Sequence, residues 1–252
     1  MNTLACIKRV PETGAKIVLT DDNQAIDTTS LGFTISPHEE CGVEEAVQLA
    51  EETGGTATVL TLGSPEADEQ LRTGIAMGAD EAIHLETDGE QWGPRATASA
   101  IAEGIEAADE SVDLLFFGNE SADQENYQVG VRVAHMLGLP VVTGIKNVEI
   151  DGDTVVAERE ISGGTEVFEL PIPAVLTVKE GLNSPRYPSM RSKMQARRAE
   201  VATATPERSE ANDVEMIELE TPERDDSPAE VLGEGPEAAE DVVAVLEELE
   251  VI

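Results

Sequence analysis

Aromatic side chains are scarce in this sequence, at 3% of 252 residues. A core built without them must come from Val, Ile, Leu and Ala, and an apolar fraction of 40% is enough to supply one. Basic residues are also few, 16 against 52 acidic ones, which leaves a formal net charge of −36. A surface of that sign repels phosphate backbones and excludes binding to bulk nucleic acid. The two cysteines, Cys6 and Cys41, lack metal-ligand spacing and are read as reduced thiols. No apolar run approaches the ~18 residues of a membrane-spanning helix. The opening MNTLACIKRV has no basic region followed by an apolar run and a cleavage site, so the expected location is the cytoplasm. Phosphate-gripping motifs are missing too. No G-x-x-x-x-G-K-[ST] occurs, and the single G-x-G-x-x-A, GEGPEA at 233–238, has no strand before it and acidic residues around it.

Acid at this density would suit a disordered chain, but periodic apolar patterns run through the first 180 residues. Adaptation to high salt is the better reading. Near molar salt the screening length falls to ~3 Å, so self-repulsion is tolerable. Lysine is confined to positions 8, 16, 146, 179 and 193, which fits the same reading of a halophilic source.

Short apolar runs alternate with amphipathic stretches. Residues 3–10, 56–62, 81–86 and 112–118 read as buried strands. Helical patterns lie between them at 43–52, after Ser64-Pro65, at 94–108 and at 125–138. Strands separated by helices predict an α/β fold with a doubly wound, mostly parallel sheet of the nucleotide-binding, Rossmann-like kind. After Pro140 the pattern changes to alternating strands about Asp151-Gly152 and Gly163-Gly164, an antiparallel addition. The run 173–179 reads as a return to a central strand. Residues 1–200 are expected to form one domain. Residues 201–252 read as an acidic arm, because that stretch is too polar to make its own core. Its terminal helix carries Val242, Val245, Leu246 and Leu249 on one stripe and is expected to dock on another surface.

No catalytic constellation can be argued from spacing. SPHEEC (36–41) gathers His, two Glu and Cys, but adjacent residues rarely converge on one ion, so it reads as a loop leading into a capped helix. His84 and His135 read as structural. Position within the fold is more informative. In a doubly wound sheet ligands bind outside the carboxyl ends of the strands, near the switch in strand order. The segments expected there are 8–16, 36–40, 62–65 and 118–130, the last joining a strand to a helix N-terminus that can offer N–H groups to a phosphate. One further segment stands out by charge. Five of the sixteen basic residues, Arg186, Arg191, Lys193, Arg197 and Arg198, fall within NSPRYPSMRSKMQARR (183–198), with no acid between Glu180 and Glu200.

The order and spacing of KRVPET, GVEEAVQLAEE, LRTGIAMGADEAIHL, VDLLFFGNESADQENYQVG, EREISGG and LNSPRYPSMRSKMQARR resemble the beta subunit of electron-transfer flavoproteins over residues 1–200. The resemblance implies an electron carrier, not an enzyme in its own right, working as a heterodimer with an alpha subunit. That partner holds most of a redox-active FAD, whose site the beta subunit completes. Electrons would arrive from acyl-CoA or related dehydrogenases, as in fatty acid beta-oxidation, and leave toward a membrane quinone oxidoreductase. No insertion of this chain into the membrane is implied. The family's structural AMP implies contacts at Cys6, at Ser36, Pro37, His38 and Glu39, and at Leu62. It implies a further run at Gly118, Asn119, Glu120, Ser121, Ala122, Asp123, Gln124, Glu125, Asn126, Tyr127, Gln128 and Val129. Val129 stands where AMP-binding members often carry a hydroxyl, and electron-bifurcating members, with a second FAD there, favour QVG. Thr13 stands where some members have an aromatic facing the flavin. The dehydrogenase would dock on Tyr187, Met190, Arg191, Lys193 and Met194, with Met190 as apolar anchor at a loop tip, while Arg197 and Arg198 pair internally. Two alternatives remain beside the carrier: a bifurcating member with a second FAD, and an adenine-nucleotide-binding or hydrolysing α/β protein without redox role.

Overall fold

A computed structural model of the chain describes residues 1–108, 111–209, 216–222 and 231–251. Its strands are β1 (Thr3–Cys6), β2 (Val10–Pro11), β3 (Phe33–Thr34), β4 (Ala57–Gly63), β5 (Glu81–Glu86), β6 (Leu114–Gly118), β7 (Val141–Ile145), β8 (Asn147–Asp151), β9 (Thr154–Ile161), β10 (Gly164–Pro171), β11 (Ala174–Val178) and β12 (Ala202–Ala204). The helices are α1 (Pro37–Thr53), α2 (Asp68–Met77), α3 (Pro94–Glu106), α4 (Val129–Leu137), α5 (Met190–Ala196) and α6 (Ala239–Glu248).

Seven strands form a parallel sheet in the order β12-β5-β4-β1-β6-β11-β7. The doubly wound α/β expectation is met. β1 lies at the centre, with Thr3 opposite Ala57 on one side and Leu114 on the other. Strand order reverses there, so the switch point falls between β1 and β6. Both faces are covered, which is why these strands read as unbroken apolar runs. Leu114 and Phe116 enter the core beneath α1 and α2, while Leu115 and Phe117 point to the opposite core beneath α3 and α4. β8, β9 and β10 make the separate antiparallel sheet, and β2 pairs with β3.

The boundaries differ from the sequence reading for physical reasons. The first strand stops at Cys6, and Val10–Pro11 belongs to a separate ribbon with β3. α1 begins at Pro37, six residues before its first periodic apolar residue. Ser36 is extended, Pro37 fills the first helical position, and Glu39 reaches back to accept the Ser36 N–H at 3.4 Å. α4 begins at Val129 and not at 125, because Glu125 (φ 48°) and Tyr127 (φ 56°) hold left-handed backbone that a helix cannot contain. The hairpin turn is Gly152-Asp153, one residue later than expected, with Asp151 paired to Thr154. Two edge strands were not foreseen. β7 is punctuated by Gly144 (φ 70°), and β12 lies in the stretch read as an arm.

Candidate functional site

A cavity of about 330 Å³ opens outside the carboxyl ends of β1, β4 and β6, at the switch point. Cys6 and Leu62 line it from strand ends, and Glu39 from the first turn of α1. Gly118, Asn119, Glu120, Ser121, Asp123, Gln124, Asn126, Tyr127, Gln128 and Val129 line it from the β6–α4 connection. Five residues assigned by resemblance do not line it: Ser36, Pro37, His38, Ala122 and Glu125. Ser36 and Pro37 set up the helix start instead. His38 turns aside, its Nδ1 accepting the Glu180 N–H at 3.2 Å and its Nε2 lying 3.5 Å from Glu120 Oε1.

The β6–α4 connection is built by backbone constraints. A Cβ on Gly118 would come within 2.8 Å of Glu39 Cγ, and one on Gly130 within 3.0 Å of both Phe117 and Thr177. Glycine at these positions lets the first turn of α4 press against the strand ends. Asn119 accepts the Thr177 hydroxyl at 2.9 Å, which ties β6 to β11. Lys8 closes the other side, its Nζ 2.6 Å from Asp123 Oδ2 and 3.1 Å from Gln124 Oε1. Helix geometry leaves the first N–H groups of α4 without intrahelical acceptors, so this end suits an anion.

Glu39 is strongly perturbed. It is 7% exposed, and its Oε2 accepts the Lys8 N–H at 2.9 Å. Burial pushes its carboxyl up to about 8, against the lowering effect of the Lys8 and Ser36 N–H groups and the Lys8 charge. Asp123 adds to the rise. The Cys6 thiol is raised by burial and by Glu39 beside it. Arg9 also lines the cavity. Its guanidinium stacks 3.3 Å from the Phe33 ring centroid, and its Nε is buried without a hydrogen-bond partner among the described residues.

Sequence reasoning missed one wall. The β5–α3 connection and the start of α3 contribute Thr87, Gly89, Glu90, Gln91, Trp92, Pro94, Thr97 and Ile101. Nothing in that segment is a motif, but its place after a strand of the sheet could have pointed to it. SPHEEC forms the N-cap and opening turn of α1, and among the described residues no group of three or more His, Cys, Asp or Glu could hold a metal. GEGPEA ends in a 3-10 turn before α6 and does not line the cavity.

The basic segment folds differently from its expectation. Met190 begins a short helix, α5, capped by the Ser189 side chain accepting the Ser192 N–H, so it does not sit at a loop tip. Tyr187, Met190 and Met194 are 89%, 76% and 58% exposed, and Arg191 and Lys193 are exposed as well. Ala196 is buried, and its carbonyl accepts from Arg72 Nη1 at 2.7 Å, anchoring the far end on α2. The internally paired arginine is Arg186, which binds Glu44 and Glu51 at 3.0 and 2.8 Å. Arg197 and Arg198 make no ion pair with a described residue, and much of the acidic arm expected to pair with them lies outside the described residues. Thr13 is exposed in the turn after β2.

Fold and cavity together define a doubly wound α/β protein with a ligand-sized cleft at its switch point. A family model described as "Electron transfer flavoprotein domain" matches residues 25–209. The chain is 36% identical over 200 residues to the electron transfer flavoprotein subunit beta of Bacillus subtilis, covering 79% of this chain and 76% of that one. It is 37% identical over 225 residues to the subunit of the same name from Syntrophomonas wolfei, covering 88% and 86%. The Mus musculus subunit matches at 34% over 261 residues, 99% of this chain and 98% of that one. The chain belongs to the electron transfer flavoprotein family, among its beta subunits.

Proposed function

We propose that this chain works as one half of a heterodimeric electron carrier, joining an alpha subunit to complete the site of one redox-active FAD. Electrons reach that flavin from acyl-CoA or related dehydrogenases and pass on to a quinone oxidoreductase. The FAD supplies the redox chemistry when bound; this chain's residues build, orient and dock. In this reading the switch-point cleft holds one AMP that undergoes no chemistry. The carrying observation is the cleft itself. At about 330 Å³ it lies at the lower end of the ~300–1,000 Å³ of small-molecule pockets, a size that suits a mononucleotide. Its residues fit the group, with N–H donors at the first turn of α4 and an unpartnered buried Nε on Arg9.

Two surfaces support the partner reading. The exposed methionines and basic residues of α5 fit an apolar pocket with an acidic rim, the alpha-helical equivalent of an anchored, steered contact. α6 has no buried residue, and Val242, Val245 and Leu249 are left exposed, as a helix that closes on an alpha subunit requires. The halophilic, cytoplasmic setting stays within this proposal, and among the described residues no helix is long and apolar enough to cross a membrane.

The test is to co-express the chain with its alpha subunit, record the visible spectrum and count the extracted nucleotides. One FAD and one AMP per heterodimer are expected. Two FAD and no AMP would favour the bifurcating reading that QVG at 128–130 suggests. A colourless complex would sink the carrier function.

A further inference from the structure

The cleft has two unlike walls. The β6–α4 connection presents amides, carboxylates and a hydroxyl beside the first turn of α4. The β5–α3 connection brings in Trp92, with Leu62, Pro94 and Ile101 lining the same cavity. Trp92 is the chain's single tryptophan and is partly buried, while Pro94 and Ile101 are buried. Its loop is fastened from outside by Arg208, on the segment after β12. Arg208 Nη1 lies 2.9 Å from Glu90 Oε2, Nη2 donates to the Gln91 carbonyl at 3.3 Å, and the guanidinium stands 5.9 Å from the indole centroid. That clamp holds the ring at the cavity's edge and occupies the carboxylate that would otherwise repel an anion.

We infer that Trp92 is the base wall of the site: the purine ring of a nucleotide lies against the indole, with its phosphate at the first turn of α4. This rests on the nucleotide reading above and adds its orientation. A planar ring gains most on an aromatic, apolar surface. The phosphate has two helix starts to choose from, because α3 and α4 pack side by side. α3 opens with Pro94, which has no N–H to give, and Glu90 lies just before it. α4 opens with Val129 and Gly130, which do have N–H groups, so the anion belongs there. The other solvent-accessible aromatic lining the cavity, Tyr127, is a poorer wall. The residue is 55% exposed and stands near the negative charges of Glu120 and Glu125.

The test uses the heterodimer freed of bound nucleotide and titrated calorimetrically with AMP. Trp92→Leu keeps apolar bulk and loses the ring, so AMP should bind about 10- to 100-fold more weakly. Trp92→Phe keeps a ring and should stay within about 3-fold of wild type. Tyr127→Ala should weaken AMP binding less than Trp92→Leu does. Equal affinities for the Leu and Phe variants would make Trp92 a packing residue and overturn the inference. So would a selective ten-fold loss in Tyr127→Ala. A wild-type heterodimer that does not bind AMP would instead fail the nucleotide reading itself, and this orientation with it.

Discussion

Glu39 joins two chain segments through one carboxyl, and its protonation is therefore coupled to folding. With a carboxyl near 8 in the folded state and near 4.5 unfolded, the native protein holds a proton that the unfolded chain has lost. Between those values stability must fall as pH rises, by about 1.4 kcal/mol per pH unit from this group alone. Its stabilising contribution is complete below ~4.5 and gone above ~8. Glu39→Gln should remove that slope, so the difference in denaturation free energy between variant and wild type should grow steadily from pH 5 to 8. Parallel curves for the two proteins would show that Glu39 titrates normally. Arg186 makes the opposite kind of coupling. Burial alone would raise the Glu44 carboxyl, but hydrogen bonds from the Arg186 side chain and backbone hold it below the usual range. Arg186→Ala would strand a carboxylate whose side chain is 4% exposed. A loss of about 2–3 kcal/mol is expected in denaturant unfolding, moderate because the guanidinium itself is about one-third exposed.

At the scale of elements, α5 is a small helix with one end fastened and the other presented. Ala196 and Arg72 hold its C-terminal end to α2, so truncation at its N-terminal end should leave the fold alone. Met190→Ala should keep FAD and nucleotide content at wild-type levels and slow flavin reduction by the cognate dehydrogenase about ten-fold, the worth of an interface anchor of ~1–2 kcal/mol. Charge reversal at Arg191 and Lys193 should act mainly on the association rate, and its effect should shrink as salt rises. Wild-type reduction kinetics in Met190→Ala with loss of flavin would mean that α5 is structural. The charge island and its prolines were legible in the sequence, but the helix was not, because seven residues with Pro185 and Pro188 just ahead of them give too short a period to read. The start of α1 was hidden for a related reason. Its first turn, residues 37–40, carries no periodic apolar residue, so apolar periodicity begins six residues late.

At the scale of the molecule, a formal charge of −36 acts everywhere at once. Lowering salt from molar to ~0.1 M lengthens the screening distance from ~3 to ~10 Å and restores repulsion between neighbouring carboxylates. Flavin retention and melting temperature of the heterodimer should both fall over that range. A flat melting temperature would refute adaptation to high salt. The same charge makes the internal cation contacts informative: Lys8, Arg72, Arg159 and Arg186 each sit against a carboxylate, and each ties together parts of the cleft, the helices or the hairpin sheet.

Composition and periodicity alone determined the α/β class, the parallel strands read at 56–62, 81–86 and 112–118, and the antiparallel hairpin. The reason is that burial on both faces, or on one, writes itself into local residue order. The six spaced segments carried the family. Only the tertiary structure decided that β7 and β12 close the two edges of the sheet, and that the basic residue paired inward is Arg186, across 142 positions from Glu44. It alone brought Arg208 to the Trp92 loop at the rim of the cleft, across 118 positions from Glu90. Such neighbours are set by how strands are ordered around β1, and local sequence holds no record of that order.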